Sequence, residues 1–152
     1  MNPIHLIAIG RVSSPVTEKT DENWGGVVSR ILLEPEFSGG LPGLKDFSHA
    51  LVVTYLHEGR YERKRHLQRR PRGREDMPRV GIFSQRAKDR PNPIGITAVE
   101  ILEVGDTRLE VRGLDAVDGT PVLDIKPYVP HFDRVEKPVV PEWTDRLMKG
   151  YF

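Results

Sequence analysis

The stretch from residue 86 to residue 95, RAKDRPNPIG, contains the residues best suited to hold a ligand. Pro91 and Pro93 exclude a helix or a central strand there, because each lacks a backbone donor and restricts the residue before it. This proline loop is therefore stiff, and its side chains lose little conformational entropy on binding. It presents three cations and an amide, which suit an anionic or polar ligand: Arg86, Lys88, Arg90 and Asn92. The alternative is an ordinary proline-rich turn between two strands.

A second candidate surface is the basic segment, residues 59–79, in which Lys and Arg greatly outnumber acids. Pro71, Gly73 and Pro78 predict a long mobile loop. A local basic patch attracts a nucleic-acid backbone even when the net charge of the whole chain is only +1. We therefore predict RNA contact through a set of three arginines: Arg69, Arg70 and Arg72. A solvated surface loop is the alternative.

A third group lies near the C-terminal third of the chain, where Asp124, Lys126 and Tyr128 alternate along a predicted strand. Alternate residues of a strand face the same side, so this acid, cation and phenol could form one wall of a site. A surface ion pair is the alternative explanation. The chain has no Cys, and its five His residues have no ligand spacing, so we predict no metal site.

The elements that must position these groups are mostly strands. Apolar and β-branched runs predict six of them: His5–Val12, Val27–Leu33, Ser48–His57, Gly95–Leu102, Arg108–Gly113 and Val122–Ile125. The third run is almost continuously apolar, which predicts burial on both faces. Val80–Phe83 resembles a strand end before the proline loop, and a short helix is expected from Pro141. Little helix and regular turns favour an antiparallel β-barrel or sandwich.

Length and composition limit the possible classes of protein. With 152 residues, the chain is expected to form one domain, 1–152, with a C-terminal tail at 134–152. The first residues have too short an apolar run for a signal peptide, and no stretch is long enough to span a membrane. The absence of Cys fits a reducing compartment, so we expect a cytoplasmic protein.

Four motifs resemble those of one known family. RPNPIG after FSQR, at residues 83–95, resembles the signature loop of the TsaA-like family, whose best-known members are the TrmO tRNA methyltransferases. IGRVSSP at 9–15, GLKDFSH at 43–49 and DGTPVLDIKPY at 118–128 resemble its other blocks in the same order. This resemblance implies a small antiparallel β-barrel, outside the Rossmann and knotted folds, that binds S-adenosylmethionine. It also implies tRNA as a partner and a homodimer.

The resemblance further implies which residues act. Positions matching the methyl-donor pocket are Asn23, Trp24, Gly25, His57, Glu58, Arg86, Ile96, Gly113, Leu114 and Asp115. From their own charge and amide chemistry, and not from the resemblance, Lys88, Arg90, Asn92 and Lys126 are expected to contact the acceptor substrate. The implied reaction is methylation at N6 of threonylcarbamoyladenosine beside the anticodon, with Asp118, Asp124 and Tyr128 as candidate proton acceptors.

One departure from the commoner family pattern bears on the acceptor. Arg86 is followed by Ala87-Lys88-Asp89, where relatives more often have Ser-Pro or a similar pair. Two alternatives therefore remain open: a methyltransferase of the same fold with a different acceptor, and a non-catalytic module that binds S-adenosylmethionine or RNA.

Overall fold

The fold, taken from a computed structural model that describes all 152 residues, is a closed antiparallel β-barrel. Its strand order is β1-β2-β7-β6-β3-β8, and a separate two-stranded sheet pairs β4 with β5. The strands are β1 Gly10–Ser13, β2 Val28–Leu33, β3 His49–Tyr55, β4 Gln68–Arg69, β5 Val80–Gly81, β6 Ile94–Val104, β7 Arg108–Arg112 and β8 Pro121–Pro127. The α-helices are α1 Arg63–His66, α2 Pro130–Asp133 and α3 Trp143–Met148. None of these helices has the length and apolar character needed to cross a bilayer.

The barrel interior is filled by alternate residues of each strand, as a small closed barrel requires. β2 and β7 pair through residues such as Ile31 and Leu109, both fully buried. β6 and β7 form an antiparallel hairpin around the turn at Gly105. The core cluster comprises Val12, Ile31, Leu33, Leu41, Ala50, Val52, Val99, Leu109, Val111, Leu114, Ala116 and Val122.

The prediction that the third strand is buried on both faces is wrong. β3 alternates, with Ala50, Val52 and Thr54 buried and the residues between them only partly covered. The barrel has one interior, and no second layer covers the outer face of β3. An apolar residue such as Leu51 is therefore half-exposed on the outside without contradicting a stable fold.

The first strand is shorter and begins later than predicted. β1 starts at Gly10 rather than His5, and Ile4, Leu6 and Ile7 are largely exposed. β1 pairs with β2 and β8 only from Gly10 onward, preceded by two hydrogen bonds of Ile9, whose N–H donates to the Val122 carbonyl and whose carbonyl accepts from the Glu34 N–H. Apolar character alone predicted a longer strand, but residues 1–8 have no partner strand to pair with.

The basic segment is not an unstructured loop, which corrects the prediction for residues 59–79. It contains α1, β4 and a 3₁₀ turn at Pro71–Gly73, and β4 pairs with β5. Two buried side chains anchor it: Met77 is buried, and the His66 ring accepts a hydrogen bond from the Glu62 N–H at 2.8 Å. These anchors hold the cations of the segment in defined places.

The two ends of the barrel carry different parts of the chain. At one end β2 and β6 begin while β3 and β7 end, and the turn between β7 and β8 also lies there. We call this end the site rim. The opposite end holds Leu33, His49 and Pro127.

Candidate functional site at one rim of the barrel

The segments predicted to bind the methyl donor all lie at the site rim. Residues 23–25 precede β2, residues 57–58 follow β3, Ile96 lies in the first part of β6, and 113–115 follow β7. The antiparallel order β2-β7-β6-β3 makes these strands neighbours around one end of the barrel. Closure of the barrel therefore brings together segments separated by up to about ninety residues of sequence.

The proline loop is fixed to the basic segment by one buried amide. β5 is followed by a 3₁₀ turn at Ile82–Ser84, so the predicted strand Val80–Phe83 is half as long as expected. Gln85 then places its amide nitrogen 3.1 Å from the Arg69 carbonyl and 3.0 Å from the Val80 carbonyl. This amide joins the start of the proline loop to β4 and β5.

Two of the three cations of the proline loop are used inside the protein. Lys88 Nζ lies 2.8 Å from both carboxylate oxygens of Asp89, and Arg90 donates to the Gln85 carbonyl at 2.9 Å. The structure therefore does not favour Lys88 or Arg90 as free cations for an acceptor substrate. Asn92 is exposed, and its side chain makes no hydrogen bond within the chain.

Asp89 is the centre of this internal network. Its carboxylate is buried and accepts a hydrogen bond from the Arg60 N–H at 2.8 Å, while Arg69 lies 3.8 Å away. Burial raises the pKa of Asp89, but the Arg60 and Lys88 contacts outweigh it and leave the pKa below its usual value. The Lys88-Asp89 pair that departs from the family pattern thus has a structural role.

Arg86 is the free cation of the proline loop. Its side chain is exposed, and one guanidinium nitrogen donates to the Ile96 carbonyl on β6 at 2.5 Å. Arg86 takes part in no salt bridge, and its remaining N–H groups have no partner within the chain. An exposed guanidinium of this kind can bind a carboxylate.

The turn after β3 approaches the proline loop closely. The Leu56 N–H donates to the Pro93 carbonyl at 2.7 Å. The chain turns at a hydrogen bond from the His57 N–H to the Tyr55 carbonyl, so His57 lies outside β3. Glu58 forms an ion pair with Lys19 at 3.5 Å, which links this turn to the segment before β2.

Residues 23–25 contact the terminal segment, residues 149–152. The Asn23 N–H donates to the Gly150 carbonyl at 2.9 Å, and the Trp24 N–H to the Tyr151 carbonyl at 2.8 Å. Trp24 is buried, and its indole N–H donates to Thr20 at 3.1 Å. Gly25 is required by close packing, because a Cβ there would lie 2.7 Å from the carbonyl carbon of Phe152.

Asp115 is the carboxylate at the rim. It follows Gly113, whose φ of +88° suits glycine, and the buried Leu114. One Asp115 oxygen accepts a hydrogen bond from the Thr97 hydroxyl, and the other accepts one from the Tyr151 hydroxyl at 2.5 Å. No cation forms a salt bridge with Asp115.

Tyr151, Thr97 and the contact of Arg72 with Tyr151 were missed by sequence reasoning. Burial and the Asp115 carboxylate raise the pKa of Tyr151 far above its usual value, so its phenol stays protonated. The Arg72 guanidinium lies over the Tyr151 ring, 5.6 Å from its centroid. Tyr151 and Asp115 are 36 residues apart with no motif between them, so the sequence carries no signal for this pair.

The three arginines predicted to contact RNA also have internal partners. Arg69 faces Asp89, Arg70 donates to the Glu75 carbonyl at 3.4 Å, and Arg72 stacks on Tyr151. Among the cations that line one cleft of this segment, Lys64 and Arg79 are the two whose side chains have no partner within the chain. They lie in a cleft of about 390 Å³ lined by Lys64, Arg65, Gln68, Arg69, Arg70, Gly73 and Arg79.

The structure does not bring the three candidate proton acceptors together. Asp124 pairs with Lys126 at 2.6 Å, which favours the surface ion pair over a site wall. Tyr128 hydrogen-bonds through its N–H to His49 at the end of the barrel opposite the site rim. Asp118 remains at the site rim, where its carboxylate accepts a hydrogen bond from the Ser14 N–H at 2.9 Å.

Residues 15–134 match the family described as the tRNA-methyltransferase O N-terminal domain. The chain belongs to this family. The matched range includes every rim segment except the terminal segment. In this family the barrel of the present chain is the expected fold, and the TsaA-like assignment made from its motifs is confirmed.

Three individual proteins show how far the similarity to members of this family extends. An S-adenosyl-L-methionine-binding protein of Archaeoglobus fulgidus is 38% identical over 136 residues, 87% of this chain and 94% of that protein. The human tRNA (adenine(37)-N6)-methyltransferase is 35% identical over 112 residues, 74% of this chain but 24% of the human one. The crystal structure of TrmO from P. aeruginosa superposes with a TM-score of 0.77 at 29% identity over 94% of this chain. The chain spans 62% of that TrmO chain.

The rim of this TrmO-family barrel presents two charged side chains that have no charged partner within the chain. Arg86 offers free N–H groups for a carboxylate, and Asp115 offers a carboxylate without a cationic partner to a positively charged ligand. The two side chains are joined through β6, where Ile96 contacts Arg86 and Thr97 contacts Asp115. No group of three or more His, Asp or Glu side chains is placed to hold a metal ion.

Proposed function

We propose that this protein binds S-adenosylmethionine at the site rim and transfers its methyl group to N6 of threonylcarbamoyladenosine beside the anticodon of a tRNA. Bound S-adenosylmethionine supplies an electrophilic methyl group on a sulfonium. The observation that carries the proposal is the family match, together with the convergence of the matched strand ends on Arg86 and Asp115. Relatives named tRNA (adenine(37)-N6)-methyltransferase support the choice of acceptor.

In this proposal the residues at the rim bind and orient the two reactants. Arg86 holds the donor carboxylate through charge-assisted hydrogen bonds, and Asp115 faces the positively charged end of the donor. The acceptor nitrogen is conjugated to the purine and the carbamoyl group, so it is a poor nucleophile until its proton leaves. Asp118 is the proton acceptor that we retain, because Asp124 is paired with Lys126 and Tyr128 lies at the opposite end of the barrel.

Nucleoside mass spectrometry tests this function directly. The purified protein, incubated with S-adenosylmethionine and tRNA that carries threonylcarbamoyladenosine, should add one methyl group to that nucleoside. The matched control is the same tRNA without the modification, which should react far more slowly. Asp118→Asn, which keeps the size of the side chain but removes its charge, should lower turnover and leave donor affinity unchanged. If no tRNA nucleoside gains a methyl group while the donor binds, the assigned acceptor is wrong.

A non-catalytic S-adenosylmethionine-binding module is the second candidate. The relative matched over 94% of its length is named as a binding protein, whereas the human methyltransferase is matched over 24% of its length. Isothermal titration calorimetry with S-adenosylmethionine and with tRNA separates the two candidates. Donor binding with no methylation of any RNA favours the binding module, and methylation of a premodified tRNA excludes it.

A further inference from the structure

The terminal segment is part of the rim although it lies beyond the residues that the family match covers. That match ends at residue 134, whereas Tyr151 donates its hydroxyl to Asp115 at 2.5 Å. The main chain of the segment pairs with Asn23 and Trp24 through two hydrogen bonds. The family pattern therefore does not account for the group that holds Asp115 from this side.

Asp115 is held from two directions by neutral donors. Thr97 on β6 donates to one carboxylate oxygen and Tyr151 on the terminal segment donates to the other. Because each oxygen can accept more than one hydrogen bond, Asp115 keeps both acceptor capacity and its full negative charge. The two hydroxyls fix the orientation of the carboxylate without neutralising it.

We propose that Tyr151 is a positioning residue of the donor site and that its hydroxyl holds the Asp115 carboxylate toward the donor. The terminal segment then forms one wall of this site. This inference rests on the proposed binding of S-adenosylmethionine, not on the identity of the acceptor. Asp115 then accepts N–H or O–H groups of the donor with its remaining lone pairs.

The packing of the terminal segment indicates that it is a fixed wall of the site and not a loosely attached segment. A Cβ at Gly25 would collide with the main chain of Phe152, and Trp24 beneath the segment is buried. Arg72 covers the outer face of the Tyr151 ring and lies 3.6 Å from Asp21. The phenol is therefore fixed by contacts on its ring, its hydroxyl and its main chain.

Calorimetric titration of the full chain with S-adenosylmethionine tests the proposal. Tyr151→Phe keeps the ring and removes only the hydroxyl, so donor affinity should fall roughly tenfold, as expected for one hydrogen bond to a charged group. Tyr61→Phe is the matched control, because the Tyr61 hydroxyl has no hydrogen-bond partner in the chain, and it should bind like wild type. Thr97→Ser should preserve donor affinity and Thr97→Val should reduce it, which tests the same carboxylate from β6.

Trypsin cleavage after Lys149 gives a second readout that a purely structural role would not change. If the terminal segment is a wall, bound donor should slow the release of the peptide Gly150-Tyr151-Phe152, detected by mass spectrometry. Faster release with donor, or equal donor affinity of Tyr151→Phe and wild type, overturns the proposal. Wild-type protein that binds no donor refutes both this inference and the proposed function, whereas donor binding without tRNA methylation refutes only the latter.

Discussion

Arg86 and Asp115 are two oppositely charged side chains at the site rim, and neither has a charged partner within the protein. Arg86 is held by the Ile96 carbonyl and Asp115 by two hydroxyls. Elsewhere on the surface most such groups form ion pairs, as Arg112 does with Glu100 at 2.7 Å. Charges that are oriented but not neutralised are available to a zwitterionic ligand, which is the chemistry that we assign to the rim.

Removal of the Arg86 side chain should weaken donor binding. For Arg86→Ala we expect S-adenosylmethionine affinity to fall about 10- to 100-fold, because a hydrogen bond to a charged group contributes roughly 1.5–3 kcal/mol. Arg11→Ala removes another exposed arginine, on β1, and is the matched control. Calorimetry on the two variants decides the matter, and equal affinities would show that Arg86 does not contact the donor.

The protonated state of Tyr151 should make its contribution to stability depend on alkaline pH. Burial and the Asp115 charge raise the pKa of Tyr151 in the folded protein above the ordinary value of about 10. The stabilising effect is thus complete below pH 10 and is lost above it, by about 1.4 kcal/mol per pH unit. Urea unfolding between pH 7 and 11 should show a steeper alkaline loss for wild type than for Tyr151→Phe. Parallel curves would contradict this.

At the scale of elements, the basic segment joins two surfaces. Its outer cations, Lys64 and Arg79, line the basic cleft, while Arg72 on its other side packs on Tyr151 in the site rim. Alanine at Arg69, Arg70 and Arg72 together would therefore disturb the proline loop and the terminal segment as well as any bound RNA. Substitutions that report on RNA alone must be made in the outer cations.

Alanine at both Lys64 and Arg79 should lower tRNA affinity and leave donor affinity unchanged. Each lost phosphate contact reduces the dependence of log K on log salt by roughly 0.7 to 0.9, so the slope should fall by about 1.4 to 1.8. A double alanine variant of Arg30 and Arg112 removes the same net charge from ion pairs on the barrel wall. Filter binding at several salt concentrations compares the two variants, and equal slopes would leave the cleft without a role in RNA binding.

The elements that could be predicted from sequence are those whose signal is local. Alternation identified β2, β6 and β7 within about two residues, and the motifs identified the barrel. The start of β1 was misplaced because pairing partners, not apolar character, decide where a strand begins. The ordered structure of the basic segment depends on the burial of the His66 and Met77 side chains. No local sequence pattern reveals that burial.

The candidate site could be predicted from the sequence only in part, again because a sequence reveals local signals but not contacts between distant segments. Arg86 lies in a family motif and residues 113–115 match family positions, and the structure places both at one rim. Lys88 and Arg90 were chosen for their charge, but their internal partners become visible only in three dimensions. Tyr151 depends on a contact between segments that share no motif, so the sequence contained nothing from which to predict its role.

For the molecule as a whole, the homodimer remains a prediction, and exposed apolar side chains on the surface support it. Residues 132–140 expose several large apolar side chains, including Val135, and Val139 is 96% exposed. The Tyr151 hydroxyl is bonded to Asp115 within the same chain. A group of exposed apolar side chains of this kind is typical of surfaces that associate.

Light scattering at micromolar concentration should therefore give about twice the monomer mass of 17.3 kDa. Val135→Glu combined with Val139→Glu should shift the protein to the monomer by placing charges in an apolar interface. The matched control is glutamate at Arg11, an exposed position on β1 of the barrel. A wild-type mass of 17.3 kDa alone would contradict the dimer.

Closure of the barrel between β1 and β8 also sets when the protein can fold. Gly10 pairs with Val122 and Arg11 with Pro121, so the seam joins strands more than one hundred residues apart. At roughly 5–20 residues per second on the ribosome, the first strand waits about 5 to 20 seconds for its last neighbour. During that interval the core face of β1 and β2 has no cover. We therefore expect the nascent chain to be a client of ribosome-associated chaperones, and its folding to finish only after Pro127 has left the exit tunnel.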